Sequence, residues 1–294
     1  MATAAETRPP AVAGQFYDSN PEKLNALIEQ YLAKAPAPAA DGRRVRAVVM
    51  PHAGYVFSGR TAVATLAAAR GATYKRALVI APSHRVGFEG LATCSFKAFR
   101  TPLGDLQVDE EAVALIRASG CRLVMDIPQA HAKEHALEVE LPMLQAMMPP
   151  MPIVPLVAGQ LSIESAKAIA EVLKPLWTPD TLWIVSSDFT HYGQSFNYVP
   201  FNTDVPERLK ALDLGAAERI TDFDLEGFAE YLRRTGATIC GESPIKILLA
   251  LAAPAKAAGE KLSARVVDYS NSGELTNDWR HCVGYAGIAF EEKL

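Results

Sequence analysis

The stretch VRAVVMPHAGY at residues 45–55 begins with a compact apolar run that predicts a buried β-strand and ends in a loop carrying a histidine. Two later stretches have the same form: RALVIAPSH (76–84) and TLWIVSSDFTHYG (181–193). Proline ends the first two runs at once, because it donates no hydrogen bond to a strand ladder. This repeated arrangement of buried strand and histidine loop determines both the predicted fold and the candidate site.

Predicted helices alternate with predicted strands along most of the chain. Apolar residues at helical spacing predict helices at 21–34, 61–72, 109–120, 133–148, 162–176, 205–220, 224–235 and 243–258. Further apolar or alternating runs predict strands at 91–96, 122–126, 153–158, 264–270 and 283–290. This alternation predicts an α/β fold, with a central, mostly parallel or mixed sheet flanked by helices.

One domain is expected to span the whole chain, residues 1–294. A chain of this length can bury a sizeable core without disulfides or metals as staples. No internal repeat and no shift in composition marks a second domain. Residues 1–20 are expected to form an irregular lead-in, and APAPAADG (35–42) a linker that ends the first helix.

Composition excludes several classes of protein. The 29 basic and 33 acidic residues give a net charge of −4, which argues against a nucleic-acid binder. No apolar run is long enough to span a membrane, and the N-terminus lacks the apolar core of a secretory signal. The four cysteines are scattered, which indicates a reducing cytoplasm rather than a disulfide scaffold. No glycine-rich phosphate loop, dinucleotide fingerprint or lipase elbow is present.

The histidine loops are expected to meet at one edge of the sheet. In open α/β sheets, ligands bind beyond the carboxyl ends of the strands. If the three strands are parallel neighbours, then His52, His84, Asp188 and His191 converge there. A single histidine after a strand more often serves a turn, so the prediction depends on the repeated placement.

A thiol joins this candidate set. Cys240 precedes the predicted helix at 243–258, where the positive end of the helix dipole favours a thiolate. Two imidazoles with a thiolate or carboxylate suit iron(II), copper or zinc and leave open positions. The alternative for Cys240 is a small buried apolar residue.

A second histidine pair lies in HAKEHALEVE (131–140), where His131 and His135 are four residues apart. The HExxH zinc pattern is absent, so we do not expect this pair to supply the primary ligands. Glu134 and His135 are better candidates for supporting the site or for acid–base catalysis.

Several motifs together resemble the Memo family, whose prokaryotic members are called AmmeMemoRadiSam system protein B. The matching motifs run from residue 8 to about 290: RPPAVAGQFY, PHAGYVFSG, APSH, EHALEVELPML, SSDFTHYG, CGESP and YSNSGE…VGYAGIAF. In EVELPML the sequence departs from the family pattern at Glu140. The family is similar in fold to the LigB-type class III extradiol dioxygenases, which are non-haem iron(II) enzymes.

The resemblance implies roles for particular residues. The family's metal ligands fall on His52, His84 and Cys240, while Asp188 and His191 line the same pocket. A glutamate stands at the Cys240 position in the dioxygenases, and thiolate for carboxylate makes the site softer. The resemblance implies iron(II), with copper or zinc as alternatives.

The predicted catalytic set is completed by His135 beside His191 and Asp188. Gly54, Tyr55 and Tyr192 are expected to shape the substrate pocket, because glycine permits close approach of a ligand and the tyrosines flank the histidine loops.

Three hypotheses remain open from the sequence. The first is a metal-dependent oxidoreductase acting on a small molecule or peptide. The second is a non-catalytic binding or scaffold protein that retains the pocket and docks a protein partner. The third is a zinc hydrolase that uses a metal-bound water. No nucleic acid and no membrane is expected as a partner.

Overall fold

The computed structural model describes residues 6–37 and 42–293. The start of the predicted lead-in (1–5), the middle of the predicted linker (38–41) and residue 294 lie outside the described residues. Residues 9–20 are largely irregular, as the sequence predicts, and Asn20 caps the first helix by accepting a hydrogen bond from the backbone N–H of Lys23.

Most helices lie close to the positions that the apolar spacing predicts, with short additions, but the helix predicted at 61–72 begins six residues earlier, at Tyr55, and ends at Ala67. Within the described residues they are α1 (Pro21–Leu32), α2 (Tyr55–Ala67), α3 (Glu110–Arg117), α4 (Pro128–Ala132), α5 (His135–Glu138), α6 (Glu140–Met147), α7 (Ile163–Leu173), α8 (Val205–Thr221), α9 (Leu225–Thr235), α10 (Glu242–Ala257) and α11 (Ser272–Thr276). The helix predicted at 133–148 is divided into α5 and α6, with Pro142 in the first turn of α6, where proline is tolerated.

Strands include all those predicted and several short ones. They are β1 (Thr7–Arg8), β2 (Arg43–Met50), β3 (Arg76–Pro82), β4 (Leu91–Thr93), β5 (Ala98–Thr101), β6 (Gly104–Gln107), β7 (Val124–Asp126), β8 (Ile153–Ala158), β9 (Thr181–Ser186), β10 (His191–Gly193), β11 (Leu262–Asn271) and β12 (His281–Lys293). Strands β1, β5 and β6 form a separate small sheet that the sequence reasoning missed.

The main sheet has the order β10-β12-β2-β9-β3-β8-β4-β7, and β11 pairs with β12. Strands β2, β9, β3 and β8 are parallel neighbours, while β12 and β4 add antiparallel pairs. The mixed α/β sheet flanked by helices is therefore confirmed. The condition for convergence of the histidine loops is also met, since β2, β9 and β3 lie side by side and run in the same direction.

The central strands are buried along almost their whole length, as expected for parallel strands covered on both faces. Their β-branched and aliphatic side chains form the apolar core against the flanking helices. Among the helices in the described part of the chain, none is both long and apolar enough to cross a membrane.

Candidate metal centre

His52 is held rigidly just beyond the end of β2. Its backbone N–H donates to Asp188 Oδ1 at 2.8 Å, which ties the β2 loop to the β9 loop. Its ring is 1 % exposed, and Nδ1 lies 2.8 Å from the hydroxyl of Ser186, the last residue of β9. Burial, and then the neighbouring imidazoles of His84 and His135, hold the pKa of His52 well below its ordinary value.

His84 follows β3, and the carboxylate of Glu134 contacts both its backbone and its ring. Glu134 Oε2 accepts from the His84 backbone N–H at 2.7 Å, and Glu134 Oε1 lies 2.9 Å from the ring Nδ1. Glu134 also caps α5 by accepting from Ala136 N–H. Burial acts to raise the pKa of Glu134, but these hydrogen bonds outweigh it, so the net shift is downward and the carboxylate stays charged.

His135 brings a third imidazole from the first residue of α5. Its ring centroid lies 4.6 Å from that of His84 and 5.5 Å from that of His52. Its Nδ1 is buried 3.3 Å from Glu134 Oε1, but the geometry is too poor for a hydrogen bond. Burial first, and then His84, lower the pKa of His135 to about 4.

The three histidines form one compact cluster. One ligand atom from each of His52, His84 and His135 lies within 4.8 Å of the others, a separation that a single ion can bridge. The downward pKa shifts of His52 and His135 keep these two rings neutral, which is the form that binds metals.

Cys240 adjoins this cluster from the loop before α10. Its Sγ lies 3.3 Å from His52 Nε2 and accepts from the Asp188 backbone N–H at 3.3 Å. The sulfur is not one of the three atoms within the 4.8 Å group. The predicted ligands and the observed cluster therefore share His52 and His84 but differ in the third member, and ligation by Cys240 stays a prediction.

The expected effect of the α10 dipole on Cys240 is not seen. Burial first, and then the carboxylate of Asp188, raise the pKa of the thiol well above its usual value. The metal-free protein therefore holds Cys240 as a thiol, and a bound cation would be needed to favour the thiolate.

Asp188 and His191 lie on the β9 side of the site. Asp188 is 5 % exposed and braces the His52 loop rather than joining the histidine cluster. His191 Nδ1 lies 3.0 Å from the carbonyl oxygen of Thr238, which can only accept, so Nδ1 carries the proton. The His191 Nε2 atom is then the one left with a lone pair.

The other predicted site residues are placed as follows. Gly54 caps α2 beside the backbone of Phe16. The hydroxyls of Tyr55 and Tyr192 donate to the carbonyls of Val139 and Phe201, and both side chains are almost fully buried. Their role in binding a substrate stays a prediction.

His131 stands apart from the cluster, as expected. It is buried, and its Nε2 lies 3.1 Å from the carbonyl oxygen of Ala92. The break between α4 and α5 separates its ring from that of His135, so the two do not act as a pair.

A cleft of about 960 Å³ opens beside His84. Its walls include His84, Arg85, Phe88, Gln160, Glu242 and Ser243. Of the three clustered histidines, His84 lines this cleft, so the cleft reaches the edge of the cluster.

Two residues that the sequence reasoning missed lie behind His52. Ser186 Oγ contacts both the His52 ring and Glu140 Oε1, at 2.8 and 2.6 Å. A carboxylate on the apolar side of a predicted helix is an available signal for Glu140, since charged groups are rarely buried without a partner.

The fold and this donor set define a single-domain α/β protein with a histidine cluster at the carboxyl edge of its parallel strands. The profile of the family described as Memo-like protein matches residues 8–289. The chain therefore belongs to the Memo-like family, and the resemblance predicted from its motifs is confirmed.

Relatives match along nearly their full length. A MEMO1 family protein of Thermoplasma volcanium is 36% identical over 282 residues, covering 96% of this chain and 97% of that protein. One from Thermococcus kodakarensis is 33% identical over 296 residues, covering 96% and 99%. Protein MEMO1 of Homo sapiens is 29% identical over 297 residues, covering 98% and 99%.

Proposed function

We propose that this protein binds a transition metal at the histidine cluster and acts as a non-haem, metal-dependent oxidoreductase. Iron(II) is the proposed metal, with copper or zinc as alternatives. The observation that carries the proposal is the convergence of His52, His84 and His135 from three separate segments within 4.8 Å. Imidazoles with an adjacent sulfur suit borderline to soft metals rather than magnesium or calcium.

His52 and His84 would hold the metal together with His135, with Cys240 or with both. Three protein ligands leave coordination positions open to a substrate. Bound iron or copper would supply the electron-transfer chemistry of an oxidoreductase. Glu134 fixes the His84 ring from behind, and such supporting groups commonly change metal affinity 10- to 100-fold.

His191 is proposed as the acid–base group. Its Nδ1–H is committed to the Thr238 carbonyl, so Nε2 is the atom free to take or return a proton. Asp188 supports the site by holding the backbone of His52.

The substrate is proposed to be a small molecule or an extended peptide that enters through the cleft beside His84. The mixed lining of this cleft, with both charged and aromatic side chains, favours a polar ligand. A reducing cytoplasm is the proposed location, in keeping with four cysteines that are all unpaired. We propose no nucleic-acid or membrane partner.

The metal assignment is tested by elemental analysis of protein purified without chelating resin, followed by titration of the metal-free protein with cobalt(II). His52→Ala is expected to abolish stoichiometric binding. His281→Ala is the matched control, because His281 is exposed and outside the cluster. Full metal retention by His52→Ala would contradict the proposal.

The reaction class is tested by measuring oxygen uptake and peroxide production by iron-, copper- and zinc-loaded protein with catechols and thiol reductants. Turnover that requires iron or copper supports an oxidoreductase. Activity with zinc alone, unaffected by the removal of oxygen, would instead indicate a hydrolase. Metal binding without any turnover, together with saturable binding of a protein partner, would indicate a scaffold.

A further inference from the structure

The hydroxyl of Ser186 has three polar neighbours at hydrogen-bond distance. Its Oγ lies 2.8 Å from His52 Nδ1, 2.6 Å from Glu140 Oε1 and 2.8 Å from the carbonyl oxygen of Ala136. A serine hydroxyl offers one proton and two lone pairs. All three contacts can therefore be hydrogen bonds only if Ser186 donates to one neighbour and accepts from the other two.

The chemistry of the neighbours decides the direction of each bond. The Ala136 carbonyl can only accept, so the Ser186 hydroxyl donates its single hydrogen bond to this carbonyl. Glu140 and His52 must then donate, which makes Glu140 a carboxylic acid and places the His52 proton on Nδ1. An ionised Glu140 would instead accept the hydrogen bond of the Ser186 hydroxyl. Two oxygens, Ser186 Oγ and Ala136 O, would then be in contact without a proton between them.

The surroundings of Glu140 agree with a neutral acid. The residue is fully buried, no cation pairs with it in the described part of the chain, and its Oε2 has no hydrogen-bond partner there. Burial raises the pKa of Glu140 well above its ordinary range. The carboxylate of Asp188 adds to this rise, and a hydrogen bond donated by Ser186 to an ionised Glu140 would oppose it only in part. Tyr55, whose own pKa is raised, also interacts electrostatically with Glu140.

The consequence reaches the metal cluster through His52. With the proton on Nδ1, Nε2 carries the lone pair, and Nε2 is the atom that lies 3.3 Å from Cys240 Sγ. The opposite tautomer would direct an N–H into the cluster, where a metal could not bind. The ring therefore depends on its hydrogen bond to Ser186 to present a ligand atom.

We propose that Ser186 and Glu140, the latter as a neutral carboxylic acid, are positioning residues that hold His52 in the Nδ1–H tautomer and so prepare Nε2 to bind metal. This inference rests on the proposed metal-binding function. The first test of the inference needs no metal, so the inference and the proposed function can fail separately.

The tautomer is measured in metal-free protein labelled with ¹⁵N-histidine, using long-range ¹H–¹⁵N spectra and identifying the His52 signals by their loss in His52→Ala. The wild type and Glu140→Gln are expected to carry the proton on Nδ1, because the glutamine amide also donates to Ser186. Ser186→Ala is expected to populate the Nε2–H form. An Nε2–H proton in the wild type would overturn the inference.

The protonation state of Glu140 is measured separately by infrared difference spectroscopy. A carbonyl stretch of a protonated carboxyl group should be present in the wild type and missing from Glu140→Gln. If the wild type and Glu140→Gln have the same spectrum in this region, Glu140 is ionised. That result would overturn the proposal that Glu140 is a neutral acid that donates to Ser186.

The metal readout is the dissociation constant for cobalt(II). Ser186→Ala is expected to weaken binding about 10- to 100-fold, and Glu140→Leu about two- to tenfold, which is the worth of one neutral hydrogen bond. Glu140→Gln should bind like the wild type. Thr65→Val is the control for loss of a buried hydroxyl, because the Thr65 hydroxyl donates to the Thr61 carbonyl within α2.

Each outcome has a distinct meaning. Wild-type affinity in both Ser186→Ala and Glu140→Leu, together with an unchanged tautomer, would overturn the positioning role. If the wild type itself binds no metal, the proposed function fails, while the tautomer measurement still tests the hydrogen-bond assignment.

Discussion

The sulfur of Cys240 lies 3.3 Å from Nε2 of His52, although 188 residues separate them in the sequence. The contact joins the loop after β2 to the loop before α10. Asp188 N–H donates to the same sulfur, so the three segments are tied together at one point. A soft sulfur donor thus lies beside the imidazole cluster of the proposed metal site.

This contact predicts a change in metal preference on replacing Cys240 by serine. A hydroxyl is a harder and weaker donor than a thiolate, so Cys240→Ser should lose far more affinity for copper(I) than for iron(II). Competition titrations with a chromophoric chelator measure both affinities. Cys121→Ser is the matched control, since Cys121 is also partly buried but lies elsewhere. Equal affinity losses for the two metals would argue against ligation by sulfur.

Much of the fold is predictable because β2, β3 and β9 are long, apolar and buried on both faces, which gives a strong local signal. Their order in the sheet is not local information. The small sheet was missed for a physical reason: β5 and β6 have four residues each, contain polar side chains and pair mainly with each other.

The candidate site was only partly predictable. The strand-end positions of His52 and His84 follow from the pattern of apolar runs. The position of His135 depends on the break between α4 and α5, which turns its ring toward β3, and no residue spacing reveals this. The Ser186 contact is equally non-local, because its partners come from the loop after β2, from α5 and from α6.

Glu134 is predicted to support metal binding through His84. Its two carboxylate oxygens contact three groups: the His84 backbone N–H, the His84 ring Nδ1 and the Ala136 N–H. A glutamine amide has one oxygen in place of two, so it cannot accept hydrogen bonds from all three. Glu134→Gln should therefore weaken cobalt(II) binding about 10- to 100-fold. Glu171→Gln, an exposed position on α7, should not change it. Wild-type affinity in Glu134→Gln would refute this role.

Glu138 is predicted to be critical for stability. It is fully buried, pairs with the buried Arg8, and accepts hydrogen bonds from Ala11 N–H, Val12 N–H and the Tyr17 hydroxyl. Glu138→Ala leaves Arg8 as an uncompensated buried charge, so unfolding free energy should fall by about 3–5 kcal/mol in urea titrations.

The matched control for Glu138 is a surface ion pair. Arg117 and Asp126 are both more than a third exposed. Asp126→Ala should cost no more than about 1 kcal/mol. If the two variants lose similar stability, the buried network does not anchor the N-terminal segment.

Asp213 is predicted to make stability depend on pH. It is buried on α8, where its carboxyl accepts hydrogen bonds from Thr190 N–H and the Tyr269 hydroxyl. Burial raises the pKa of Asp213 to about 7. The hydrogen bonds lower this pKa but do not cancel the effect of burial. The folded protein therefore keeps a proton that the unfolded chain releases near pH 4.

The sign follows from the proton count. Between pH 4 and 7 the folded state binds more protons than the unfolded state, so the stability of the protein decreases as pH rises through this range. The stabilising contribution of the protonated Asp213 is fully present only below pH 4.

Asp213→Asn is uncharged, and its amide oxygen still accepts from Thr190 N–H. The free energy of unfolding of the wild type minus that of Asp213→Asn should fall by about 2–3 kcal/mol from pH 5 to pH 8. Urea titrations of both proteins at the two pH values measure this difference, in which other titrating groups cancel. A difference that stays constant, or grows with pH, would mean that Asp213 is already ionised in the folded protein at pH 5.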